Sequence, residues 1–188
     1  SQGPDGTLTV RFVSNASTVA AGWLANIGCT QNMNPICDAT IVAGQTQFSA
    51  SQGYPSRAFN ASVSNGTQAR GITYQWQQSA SENGPWTNVA GATNRGSSIT
   101  AAAAPGVTYY RLESNCTISN TIVYSNPEPY TVLPVVIMPT TGTSTVTGCD
   151  FAFFDSGTDV GNYSAYENGT VVFNPSSPGA SVQITFTF

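Results

Sequence analysis

The sequence predicts an all-β protein whose central part is a β-sandwich. Three observations carry that expectation. Apolar residues recur at every second position in run after run, the spacing of a half-buried strand. The runs are bounded by turn clusters: Ser64-Asn65-Gly66, Glu82-Asn83-Gly84-Pro85, Asn94-Arg95-Gly96, Asn174-Pro175 and Pro178-Gly179. Helical periodicity is nearly absent, and the best helical composition, Ala101–Ala104, is closed at once by Pro105-Gly106. Short strands separated by turns, without helices between them, indicate a sandwich.

Taken in order, the first strand places Leu8, Val10 and Phe12 on one face and Thr9 and Arg11 on the other. Further strands are expected near residues 44–50, 57–64, 71–78, 85–89, 97–101, 107–115 and 121–132. In the 71–78 run Ile72, Tyr74 and Trp76 face one way, with Gln75 and Gln77 opposite. A sandwich usually buries its one large indole at such a place. Val107, Tyr109 and Arg111 alternate with Thr108, Tyr110 and Leu112. Near the end Val182, Ile184, Phe186 and Phe188 alternate with Gln183, Thr185 and Thr187.

Composition excludes several functions. Of 188 residues only five are basic and nine acidic, 7% of the chain against roughly 25% in ordinary soluble domains. All five bases are Arg, and His is absent. Without His there is no Ser-His-Asp triad and no imidazole metal ligand. Five scattered Arg cannot neutralise a nucleic-acid backbone or form a polybasic membrane patch. The run Val135-Val136-Ile137-Met138, as long as any apolar run, is far short of the ~20 residues that span a bilayer. No catalytic residue and no enzymatic role are expected, and neither is a nucleic-acid partner. Ser1 opens the chain without a signal peptide, so it is expected to be a mature end or an interior cut. The four cysteines, Cys29, Cys37, Cys116 and Cys149, make no C-x-x-C motif. In a Lys-free, Ser/Thr-rich chain they read as two disulfides formed outside the cell.

The chain reads as several parts: residues 1–30 with two strand candidates, a central 36–134, a Pro/Thr-rich linker over 135–148, and 149–188 with about three more strands. The central part has the size of one immunoglobulin-like sandwich. Its motifs are Tyr74-Gln75-Trp76-Gln77-Gln78-Ser79, Gly84-Pro85-Trp86-Thr87-Asn88-Val89-Ala90-Gly91-Ala92-Thr93, Thr108-Tyr109-Tyr110-Arg111 and Tyr124-Ser125-Asn126-Pro127. In that order they resemble the Ig-like modules of Bacteroidota surface proteins, found in large secreted adhesins and gliding-motility-associated proteins. The family often has Cys where this chain has Tyr54, so its usual pairing does not carry over. In such a sandwich the first strand starts at the pole of the F–G turn. Cys37 precedes that strand and Cys116 abuts that turn, which pairs Cys37 with Cys116.

The flanks resemble two pieces of one other domain. Gly6–Ser17 with Gly22–Cys29 is similar to the closing strands of a CUB domain. Cys149-Asp150-Phe151, Phe154-Asp155-Ser156-Gly157, Glu167-Asn168-Gly169-Thr170-Val171 and the final alternating run are similar to its opening strands. The order is inverted, end first and beginning last. Physical reasoning reaches the same arrangement, because two or three strands cannot bury an apolar face alone. One flank carries Leu8, Val10, Phe12 and Trp23, the other Val182, Ile184, Phe186 and Phe188. These are the expected inter-subunit strands. A seven-stranded sandwich starts and ends at opposite poles, so each flank is expected to meet its complement in a neighbouring copy, head to tail. Cys29 is expected to pair with Cys149 across that junction; the alternative, Cys29 with Cys37, closes a local loop. The chain is thus expected to be a structural subunit or repeat of an extracellular, cell-surface filament or adhesin.

Two further readings concern ligands. Asp150, Asp155, Asp159 and Glu167 form the only acidic cluster. They read either as a Ca²⁺ site, as in many CUB domains, or as turn residues; no other cofactor is expected. Trp86, Tyr54 and Tyr163 are candidate platforms for sugar rings or else sandwich packing. The alternative function is therefore a carbohydrate-binding adhesion module whose partners are surface glycans.

Overall fold

The computed structural model describes Arg11, Val13, Ser17 and residues 35–185. The chain divides into two units, Ser1–Met33 and Asn34–Phe188, and every strand below belongs to the second. In chain order these are β1 (Gln45–Phe48), β2 (Gln52–Gly53), β3 (Ala58–Ser64), β4 (Ile72–Ser79), β5 (Thr87–Asn88), β6 (Ser97–Thr100), β7 (Gly106–Cys116), β8 (Thr121–Tyr124), β9 (Glu128–Val132), β10 (Val135–Ile137), β11 (Thr141–Thr147), β12 (Ala152–Phe154) and β13 (Asn168–Asn174). Among the described residues all long regular elements are strands, so the protein is all-β.

Two sheets enclose the main core. One is antiparallel, in the order β1-β3-β6. The other runs β2-β9-β7-β4-β5, with β8 also on β7. Period-two alternation sorts the side chains. Phe59, Ala61 and Val63 of β3 point inward, as do Tyr110 and Leu112 of β7 and Tyr130 and Val132 of β9. Trp76 lies in β4 opposite Leu112 and is 0% exposed. Its indole Nε1 donates to the Asn94 carbonyl at 3.0 Å, which removes the cost of burying a polar N–H. Phe59 stacks on Tyr130 at 3.9 Å, and Phe48 meets Phe59 edge-on at 5.4 Å. Burial pushes the Tyr110 and Tyr130 phenols above their ordinary pKa. The Thr46 and Ser125 hydroxyls, 2.7 Å apart and buried, tie the two sheets together.

A second, smaller core forms around the disulfide Cys37–Cys116, with Ile41 buried beside it and Ala69, Ile72 and Val123 packed against it. The pairing is the one expected. It closes a span of 79 residues. Cys37 is thereby fixed to the end of β7, whose other end, Gly106, pairs with Val132 of β9. The sandwich therefore receives the chain at one pole and releases it at the other.

Two expectations need correction beyond Val132. Residues 135–148 are not a linker: they carry β10 and β11. Thr is β-branched and favours extended backbone. Thr141, Thr143, Thr145 and Thr147 alternate with Gly142, Ser144 and Val146, which is a strand period. The final alternating run is not a strand in its described part, since residues 181–185 are in no strand and are exposed. Alternation alone does not make a strand; its N–H and C=O groups need a paired strand, and none pairs with it among the described residues.

Candidate functional site

The candidate site is the open assembly of residues 133–185. β10 pairs with β12 in parallel, Val135 opposite Ala152 through Ile137 opposite Phe154. β11 pairs with β13 in parallel over seven positions, Thr141 opposite Asn168 through Thr147 opposite Asn174. Gly169 is required in that pair, because a Cβ there would run into the Pro139 carbonyl. Parallel strands are normally covered on both faces and flanked on both sides. Among the described residues each of these parallel sheets has only two strands. No residue from 133 to 185 is fully buried, although the segment holds Val135, Val136, Ile137, Phe151, Phe153, Phe154, Val171, Val172 and Phe173.

β12 explains how the segment is held. Its Phe154 turns toward the sandwich and meets Tyr54 edge-on at 4.9 Å. The Arg57 guanidinium lies 5.7 Å from the Tyr54 ring and pairs with Asp159. Phe153 and its neighbour two back, Phe151, turn the other way, toward Phe173 of β13. The ring centroids of Phe153 and Phe173 are 5.2 Å apart, and those of Phe151 and Phe173 are 6.2 Å apart. These three rings, with Val182 and Ile184, line an open cleft of about 400 Å³. Asp150 is the only charged residue that lines it, and Cys149 stands beside it. Val182 and Ile184 remain 43% and 51% exposed.

The expected inter-subunit residues divide accordingly. Val182 and Ile184 are brought together at the cleft. Leu8, Val10, Phe12, Trp23, Phe186, Phe188 and Cys29 lie outside the described residues. Cys149 is a free, exposed thiol.

The acidic residues serve turns and one ion pair. Asp155 Oδ1 accepts from Gly157 N at 2.9 Å. Glu167 accepts from the Ser156 hydroxyl and, at 2.8 Å, from Ser164 N. Asp159 is engaged by Arg57. Among the described residues no three His, Cys, Asp or Glu side chains are gathered to hold a metal ion.

Two of the three aromatics expected as sugar platforms have other partners. Tyr54 packs on Phe154. Trp86 is half-buried, with the Arg111 guanidinium 4.2 Å over its ring. Arg111 also lies 3.9 Å over Tyr124, and its Nε donates to Gln77 Oε1 at 2.9 Å. Burial lowers the Arg111 pKa, opposed by Tyr124 and Glu113. Tyr163 alone of the three is exposed. Sequence reading missed the contacts of Tyr54 with Phe154 and of Arg57 with Asp159, because no local pattern links positions so far apart.

The model of a family described as "Domain of unknown function (DUF8696)" matches residues 41–134, half of the chain. No curated protein and no solved structure matches.

Proposed function

This chain belongs to the DUF8696 family, and we propose that it is a structural subunit or repeat of an extracellular surface filament or adhesin. Each copy assembles head to tail with the next by completing a β-sandwich with the neighbour's strands. One observation carries this reading: residues 133–185 hold two parallel strand pairs and many apolar side chains, yet none of those residues is fully buried. Covering four such side chains is worth roughly 6–12 kcal/mol, at ~1.5–3 kcal/mol each. Left open, unpaired strand edges associate with whatever strand is offered. The N-terminal sequence has the period of such a strand, with Leu8, Val10 and Phe12 at every second position. The resemblance of residues 36–133 to the Ig-like modules of Bacteroidota surface proteins points the same way. So does the Cys37–Cys116 disulfide, since such bonds persist mainly outside the cytosol. No helix among the described residues is long and apolar enough to cross a membrane.

Cys149 is a free, exposed thiol in the cleft lining, and in this reading its partner is Cys29 of the next copy. The sugar-binding alternative has less support, because Tyr54 and Trp86 are engaged within the chain. Sedimentation velocity with negative-stain electron microscopy tests the proposal. The expected result is concentration-dependent strings of regularly spaced beads. Single dispersed globules at every concentration would contradict it.

A further inference from the structure

We infer that the cleft formed by Phe151, Phe153, Phe173, Val182 and Ile184 receives residues 8–13 of a second copy, with Arg11 of that copy on Asp150. This rests on the head-to-tail reading above and specifies the surface and the strand.

Shape and period agree first. The cleft's apolar residues come in pairs two apart, Phe151 with Phe153 and Val182 with Ile184. An extended segment presents Leu8, Val10 and Phe12 at the same period. With those three in the cleft, Arg11 lies on the opposite face, and its long stem can reach a rim carboxylate.

Charge agrees independently. Asp150 is the only charged residue lining the cleft. Arg11 is the only basic residue before Arg57, and no basic residue follows Arg111. Arg11 and Asp150 are both exposed, and among the described residues neither forms an ion pair.

The two poles of the sandwich give a second copy a direct approach to the cleft. Cys37 is bonded to Cys116 at one end of β7, and Val132 pairs with Gly106 at the other. The eleven residues of β7 separate those ends by ~33 Å. A copy placed end to end brings its entering segment to the cleft without running back along the sandwich.

The test is a charge exchange, read by sedimentation velocity on the full chain. Arg11→Asp and Asp150→Arg should each raise the concentration for half-assembly about tenfold, through like charges at the junction. An equimolar mixture of the two should assemble within about twofold of the parent, since each variant's strand then meets the other's cleft with opposite charge. Residue 150 has a left-handed backbone, φ 62°, which Asn tolerates as well as Asp. Arg11→Asp combined with Asp150→Asn therefore serves as a second pair, and it should recover to within about threefold of the parent.

Single variants that assemble like the parent would overturn the cleft assignment and leave head-to-tail assembly standing. A double variant that assembles while the mixture does not would show pairing within one chain, and would overturn it too. A parent that never assembles would remove the underlying reading, and this inference with it.

Discussion

Replacing Trp76 with alanine is expected to cost about 3–5 kcal/mol and to leave much of the sandwich unfolded. Trp76 is 0% exposed, sits where both sheets meet, and holds Asn94 through its indole N–H. Truncation leaves a cavity and removes one of two hydrogen bonds to the Asn94 carbonyl, which keeps the Ser97 hydroxyl as a donor. The sheets cannot collapse freely to fill the cavity, because the buried Thr46–Ser125 bond links them and the β4–β7 ladder, from Ile72–Cys116 to Ser79–Tyr109, holds the strand of Trp76 in register within its own sheet. A domain of this size has about 5–15 kcal/mol in total, so the loss is a large fraction. Urea unfolding followed by far-ultraviolet circular dichroism measures it. A cost below about 1.5 kcal/mol would show that Trp76 is not the keystone of this core.

Replacing Phe173 with aspartate should abolish assembly and leave the sandwich as stable as before. Phe173 touches Phe151 and Phe153 but belongs to neither buried core. A neighbour's strand laid over these rings would bury the new carboxylate without a partner, at a cost of several kcal/mol. The concentration for half-assembly should rise at least about a hundredfold, since each 1.4 kcal/mol is tenfold. Sedimentation velocity and the thermal midpoint by circular dichroism separate the two effects. Unchanged assembly would contradict the proposed role. A midpoint lowered by many degrees would place Phe173 in the stability of the sandwich itself.

The sandwich was legible because its strands carry their own period. Tyr74 to Gln77, Tyr109 to Leu112 and the turns between them locate β4 and β7 without any partner in view. The run expected over 121–132 is instead β8 and β9, parted at Ser125-Asn126-Pro127, where Ser125 is used to tie the sheets. β2, two residues long, has too little sequence to show a period. The C-terminal segment was read less well for two physical reasons. Threonine-rich residues 139–147 have the composition of a stiff connector and the alternation of a strand, and only pairing with β13 decides between them. Parallel pairing itself leaves no local signature, because partners far apart in the chain set it. The cleft was foreshadowed by Val182 and Ile184, but Phe151, Phe153 and Phe173 become its wall only when β12 and β13 are placed. The anchor from Tyr54 and Arg57 to Phe154 and Asp159 was invisible for the same reason.

Amide hydrogen exchange over β13 and residues 181–185, at low and high protein concentration, tests the head-to-tail role most directly. If a neighbour's strand completes this half-built sheet, these amides exchange fast in dilute solution and become protected as the concentration rises, while β4 and β7 are protected throughout. The same fast exchange at every concentration, or protection already complete in a dilute single chain, would contradict it.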